Sequence, residues 1–362
     1  MSLRIAIIGA GWYGCHIGLS FASLGFKVSV FERQHRAMHE ASGNNQFRLH
    51  LGFHYARHQL TRQQSRDGFQ RFIERYPDLS APVERNIYAV PRGSSLIDFS
   101  TYKLIMASTG IDFQEIHGDY APLVDIEGAM LTSERVLLIA QARQYFVDHL
   151  GSDLHLGHEV RNIDERGKHV AVDGEIYDYI IDATWGRMRP PPIDIIFEPT
   201  ILLYYEAVNP HPAVTLVDGP LCSVYPTEDS RIFTLSSVLH TPMGQYPDWA
   251  AGYGRSKDVT SEVVRQKRTL MEEQIVQNLP DFRDAFKFVG VQISMKTKPV
   301  GNFDDRSCQV FRNGRCFSVM SGKVDTIFVA SERILAMLAA EHAVGRAFAQ
   351  PSLRNDILVP TE

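Results

Sequence analysis

Apolar positions along this 362-residue chain fall into two spacings, one of period two and one of helical period, and the switches between them outline the elements. The run "LRIAII" at 3–8 predicts a strand, and "GAGWYG" follows it at once. From about Trp12 to Leu24 the apolar residues recur at helical spacing, Gly25 closes that helix, and "KVSVF" predicts a second, parallel strand ending at Glu32. Residues 132–150, "TSERVLLIAQARQYFVDHL", read as an amphipathic helix starting at Thr132 or Ser133 and closed by Gly151. After it, "DLHLGHEV", "HVAVDG" and "IYDYIIDATWG" predict a strand and then a β-meander whose last strand returns to the parallel sheet. The stretches "TILLYYEAV", "LCSVYP", "RIFTLSSVL" and "FVGVQISMK" alternate with Pro and Gly and predict an antiparallel sheet. Residues 258–280 predict a helix with a solvated charged face, and "RPPPID" at 189–194 a rigid crossover.

Composition narrows the function. With 44% hydrophobic and 22% charged residues the chain is globular, and no run approaches the roughly 18 apolar residues of a membrane span. A net charge of -5 argues against a nucleic-acid binder and toward a small-molecule substrate. Cys15, Cys222, Cys308 and Cys316 form neither a CxxC pair nor a zinc pattern, and the chain runs straight into its first strand; both predict a reduced, cytoplasmic protein without metal. Oligomeric state is left open.

The glycines carry the first chemistry. Gly9, Gly11 and Gly14 stand in G-x-G-x-x-G spacing between a strand and a helix: Gly9 permits the turn, Gly11 lets backbone approach a pyrophosphate, and Gly14 lets the helix pack on the strand. Glu32 stands where a carboxylate accepts from ribose hydroxyls and repels a 2′-phosphate, which leaves NAD or FAD as the cofactor.

Three segments then decide between the two. "IAIIGAGWYG…VSVFE" (Ile5 to Glu32), "YIIDATWG" (Tyr179 to Gly186) and "SGKVDTIFVASERI" (Ser321 to Ile334) resemble the D-amino acid oxidase superfamily of FAD-dependent oxidoreductases. The resemblance implies an α/β fold: a glutathione-reductase-like Rossmann FAD-binding domain (1–77, 132–195 and 297–362) with an inserted, mainly antiparallel β-sheet substrate-binding domain (78–131 and 196–296). It implies that FAD lies extended against Gly9, Gly11, Trp12, Tyr13, Gly14, Glu32, Arg33, Ser42, Asn44, Asn45, Gln46, Val160, Ala183, Thr184, Gly186, Gly322, Lys323, Val324, Asp325 and Thr326. A helix beginning near Asp325 or Thr326 would aim its positive end at the flavin, and Lys323 could add a full charge. The chain departs from the family where Gly322 is followed by Lys323, Val324 and Asp325 instead of further glycines. It departs again where Lys298-Pro299 replaces an Arg-Pro, so the fork that would hold a simple amino acid's carboxylate is missing.

"NNQFRLHLGFHYARH" at 44–58 follows the second strand and reads as extended chain, with Arg48, His50, Gly52 and His54 on one face and apolar residues on the other. That polar face could orient substrate, act as a base near neutral pH or tether flavin through histidine; half-buried histidines at the edge of a core are the alternative. Cys316 is a second possible tether or a buried thiol. From the sheet, Tyr204, Tyr205, Tyr225, Lys296 and Lys298 are pocket candidates, of which Lys298 and Tyr225 are taken as substrate-binding. Without a G-D-A flavin motif or a W-x-W-x-I-P stretch, the chain reads as an oxidase or dehydrogenase acting on a C–N or C–O bond of a small polar anion. A non-redox flavin mutase similar to UDP-galactopyranose mutase and a flavin-binding protein without turnover stay open as alternatives.

Overall fold

The computed structural model describes residues 2–301 and 305–342, so the irregular strap expected after Pro351 lies outside the described residues. Its first layer is a six-stranded sheet in the order Gln309–Asn313, Cys316–Met320, Tyr179–Asp182, Arg4–Ile8, Lys27–Glu32, Leu154–Leu156. All neighbours are parallel except the outermost Gln309–Asn313. The reason is visible in the strands themselves: Ile5, Ala6, Ile7 and Ile8 are all buried, as a strand covered on both faces requires. The helix Trp12–Ser23 covers one face; an antiparallel meander, Ile163–Arg166, His169–Val172 and Glu175–Tyr177, covers the other.

A second sheet of eight strands runs Phe286–Pro299, Ile195–Ala207, Ile232–Ser237, Cys222–Pro226, Ala213–Leu216, Asn86–Pro91, Ile126–Thr132, Gln114–Ile116. It is antiparallel apart from the pairing of Asn86–Pro91 with Ala213–Leu216, which joins the two separate chain stretches into one sheet. The helix Ser261–Ile275 packs Met271 and Ile275 onto the same core as Leu203, Val224 and Leu235.

Two sequence expectations are corrected. The helix expected over 132–150 begins only at Ile139; ahead of it Ile126–Thr132 and Arg135–Leu137 are strands. "TSERV" imitates a helix start, but Val136 and Leu137 are buried by pairing with Arg48, Ala81 and Ser80, and those long-range partners override local preference. The extended face expected over 44–58 shrinks to Arg48–Leu49. At Gly52 the backbone takes φ +115°, a Cβ there would meet Arg62 O at 3.0 Å, and the chain turns away through residues 52–57.

Candidate active site

Three cavities line up along the C-terminal edge of the parallel sheet. The first, about 140 Å³, is lined by Gly9, Gly11, Glu32, Arg33, Ser42, Val160, Ala183 and Thr184. The second, about 100 Å³, shares Gly11, Ser42 and Ala183 with it and adds Trp12, Tyr13, Asn45, Gly322, Lys323 and Val324. The third and largest, about 290 Å³, continues from Asn45, Gly322 and Lys323 to Gln46, Arg48, His50, His54, Lys296 and Lys298. Ala41 and Trp185 belong to all three, so the cavities form one elongated channel from Glu32 to Lys298.

The first two cavities suit a dinucleotide. Gly11 caps the helix Trp12–Ser23 with no side chain of its own, and among the described residues only Trp12 N–H is taken up nearby, by Ser42 Oγ at 3.1 Å, so backbone and the positive helix end can approach a phosphate. A Cβ on Gly11 would lie 2.6 Å from Ser42 Oγ and fill the channel, and one on Gly14 would lie 1.8 Å from Gly9 O. Glu32 is held in place by accepting from the N–H groups of Ala10 (2.9 Å) and Gln34 (3.0 Å). These residues would hold an extended dinucleotide, with the acid at the ribose end.

The Gly-rich end is tied to the C-terminal segment by one side chain. Tyr13 Oη donates to Lys323 O (2.5 Å) and lies 2.6 Å from Thr326 Oγ1. The segment continues as the turn Val324–Thr326 and the helix Ile327–His342, so the expected helix start is displaced by a single 3-10 turn. Gly68 lets the helix Gln59–Arg75 press against Asp325, where a Cβ would stand 1.6 Å from its carbonyl oxygen. Asp325 is wholly buried and its carboxyl is pushed up to about 6, first by burial.

A buried polar chain underlies the third cavity. Arg48 Nη1 donates to Tyr88 Oη (2.7 Å), Tyr88 Oη donates to Glu134 Oε2 (2.7 Å), and Glu134 Oε1 accepts from Leu51 N–H (2.8 Å) and faces His50 Nδ1 at 3.6 Å. His50 Nε2 in turn lies 3.1 Å from Lys323 Nζ. An ammonium can only donate, so it fixes Nε2 as the acceptor and places the ring proton on Nδ1, toward Glu134. Burial and the neighbouring Lys323 hold His50 well below the usual imidazole range, and burial and His50 do the same for His54. Both rings are neutral hydrogen-bonding groups at pH 7 and weak bases. Lys323 is lowered to about 8, chiefly by burial, and Nζ lies 4.6 Å from the centre of the Tyr55 ring. Lys296 is also lowered to about 8 by burial, with Lys298 the next cause, while Lys298 pairs with Glu198.

Some expected residues lie elsewhere. Tyr225 does not line the channel; its ring lies under the Arg48 guanidinium at 4.0 Å and is fully buried. Arg48 itself lines the third cavity, yet its side chain is only 2% exposed, so it acts from behind the wall through its charge. Asn44 donates to His39 O and Glu40 O and shapes the loop that carries Ser42 and Asn45. Gly186, at φ +82°, packs on Ile195 and Pro191. Tyr204 and Tyr205 are drawn into the hydrophobic cores, and Cys316 is buried beside Arg189 and Glu165, away from the three cavities. Among the described residues no group of three or more His, Cys, Asp or Glu side chains could hold a metal ion, and no helix is long and apolar enough to cross a membrane.

Four residues, two lining the channel and two buried behind it, were not anticipated. Glu134 was hidden by the false helix. Tyr88 looks like any strand tyrosine. Trp185 stands inside "DATWG", and its left-handed backbone, φ +61°, turns a bulky ring into all three cavities. Trp249 begins the helix Trp249–Lys257 and reaches the first cavity from the second sheet, with the guanidinium carbons of Arg33 and Arg187 at 5.0 Å and 5.2 Å from its ring and Tyr253 stacked on it at 4.4 Å.

Comparison with known proteins gives the family. The family model described as "FAD dependent oxidoreductase" (DAO) matches residues 4–300. The FAD-dependent monooxygenase FPY4 of Fusarium mangiferae is 54% identical over 337 residues, covering 93% of this chain and 91% of that protein. The FAD-dependent monooxygenase kojA of Aspergillus flavus is 26% identical, over 93% of this chain and 86% of its own. Among solved structures, glycine oxidase from Geobacillus kaustophilus superposes with a TM-score of 0.70 at 15% identity, covering 97% of this chain and 98% of that one. The L-alpha-glycerophosphate oxidase of Mycoplasma pneumoniae, with FAD bound, gives 0.72 at 13%, covering 93% and 95%. With Gly9, Gly11 and Glu32 in a channel fit for a dinucleotide and the family model spanning most of the sequence, this chain belongs to the DAO family of FAD-dependent oxidoreductases.

Proposed function

We propose that this enzyme is an oxidase or dehydrogenase that acts on a C–O or C–N bond of a small-molecule anion bound in the third cavity. One observation carries the reading: Arg48, Lys296, Lys298, Arg306 and Lys323 line that cavity, against Glu198 as its lining carboxylate. FAD, when bound, supplies the two-electron acceptor. The chain's own residues do the rest: Lys323 and Lys296 attract the anion, His50 holds the Lys323 ammonium through Nε2, and neutral His54 orients the hydroxyl or amine without competing as a cation. Glu134 faces His50 Nδ1 at 3.6 Å and offsets the buried charge of Arg48.

The test is an anaerobic screen of hydroxy acids, amino acids and amines against the purified holoenzyme. Bleaching of the flavin by an anionic substrate alone is expected. The Fusarium relative's name favours a second reading, monooxygenation, which needs an outside reductant before O2 can react. Reduction by a nicotinamide and not by substrate, followed by an oxygenated product, would replace the first reading with the second.

Two further results are expected. Affinity for a carboxylate inhibitor falls as pH rises through about 8, because the lysines that attract it lose their charge there. Lys323→Met weakens binding at pH 7 and shrinks this limb; an unchanged profile would remove Lys323 from the role. At the other end of the channel, Trp249 would hold the adenosine half of FAD together with Glu32. Trp249→Ala is therefore expected to raise the Kd for FAD, and for ADP as a competitor, about tenfold, as loss of one well-packed aromatic contact does. An unchanged ADP affinity would place Trp249 outside the cofactor site.

A further inference from the structure

The third cavity is lined by Lys296, Lys298 and Lys323 and also by four aliphatic residues, Leu202, Leu216, Leu221 and Val238, set among Cys222, Ser223, Ser236 and Ser237. The aliphatic lining does not stop at the mouth. Val238 donates its N–H to Leu221 O (3.0 Å), Leu221 donates to Gly219 O (2.8 Å), and Leu96 packs on Gly219 so closely that a Cβ there would meet Leu96 Cγ at 3.0 Å. Leu96, Val238 and Leu239 thus stand on adjoining loops, and these residues are 59%, 56% and 60% exposed. A single exposed aliphatic residue is ordinary; three on adjoining loops, continuous with the wall of a cavity, form a surface that gains by being covered.

We propose that this rim and the wall behind it form a subsite for an apolar substituent of the substrate, an alkyl chain or an aryl group, so that the substrate is an amphipathic anion. Its charged, oxidisable end lies toward Lys323 and its hydrocarbon end toward Val238 and Leu239. The assignment rests on the anionic-substrate reading above and sharpens it: the lysines select the head and the rim selects the tail. The two contributions differ in kind. Attraction to the lysines is screened by salt, whereas burial of methylenes on the rim is not.

The experiment titrates the FAD-loaded protein with acetate, butanoate, hexanoate and octanoate and follows the visible absorbance of the flavin. Kd is expected to fall about threefold to fourfold per methylene once the chain reaches the rim. High salt should raise the values of the whole series together and leave its slope unchanged. In the Leu96→Asp, Leu239→Asp double variant the long end of the series should flatten. Affinity independent of chain length overturns the proposal, as does a slope that survives the double variant. A double variant that changes only oligomeric state on size exclusion also overturns it, and makes the rim an interface between copies of the chain. Octanoate that binds where acetate does not, with no response to Lys323→Met, sinks the anion reading and leaves the apolar subsite standing.

Discussion

Gly14→Ala is expected to give a protein that purifies without yellow colour. Its new Cβ would stand 1.8 Å from the carbonyl oxygen of Gly9 and 3.0 Å from its carbon, and both are backbone atoms that cannot rotate aside. Helix and strand must therefore separate. Overpacking of this kind costs about 1–3 kcal/mol, and here the displaced backbone is the cofactor channel itself. Because about 1.4 kcal/mol is a factor of ten, FAD affinity should fall at least tenfold, measured by fluorescence titration of apoprotein. Gly25→Ala is the control. Gly25, unlike Gly14, has a left-handed φ, +85°, but nothing lies within 4 Å of a Cβ there, and it stands away from the channel. It should lose about 1 kcal/mol of stability through backbone strain alone and keep its flavin. A yellow Gly14→Ala protein with unchanged FAD affinity would show that the close approach of helix and strand does not shape the site.

The second large effect is expected at Glu134. The carboxylate is wholly buried and serves three partners: Tyr88 Oη, Leu51 N–H and the nearby Arg48 guanidinium at 3.8 Å. Arg48 is equally covered, and its Nε and Nη2 have no hydrogen-bond partner. Glu134→Ala would leave a buried cation without its counter-charge, a loss of about 3–5 kcal/mol read as a lower denaturation midpoint. Glu134→Gln keeps an acceptor for Leu51 and should lose less. A purely structural role would move stability alone. If Glu134 also positions His50, the glutamine variant should change the pH profile of carboxylate binding while its flavin content stays normal. Equal stability of wild type and the alanine variant would mean that Arg48 is compensated by some other group.

How much of this was legible in the chain differs from one element to the next. "LRIAIIGAGWYG" and Glu32 announced a strand, a tight turn and a helix because every requirement there is local: β-branched residues for a doubly covered strand, glycines where backbone must approach backbone, and an acid three turns of helix and one strand later. Lys298 and Lys323 were singled out only against the resembling family, and Lys296 was one pocket candidate among several; all three line the third cavity. Tyr225 was misjudged because alternation along a strand gives two faces and does not say which one Arg48 will cover. Glu134 was missed for a related reason. Its surroundings "TSERV" have the residues of a helix start, and only pairing with strands some 55 and 90 residues away makes them extended.

Sequence by itself determined the cofactor half of the protein, since phosphate and ribose are met by glycines and an acid at fixed short spacing. Tertiary structure decided the proposed substrate cavity and what surrounds it. The chain His50, Glu134, Tyr88 and Lys323, the reach of Trp249 into the FAD channel, and the apolar rim at Leu96, Val238 and Leu239 each join residues that lie on separate loops and sheets. Such contacts are set by how two sheets pack against each other, and no spacing along the chain encodes them.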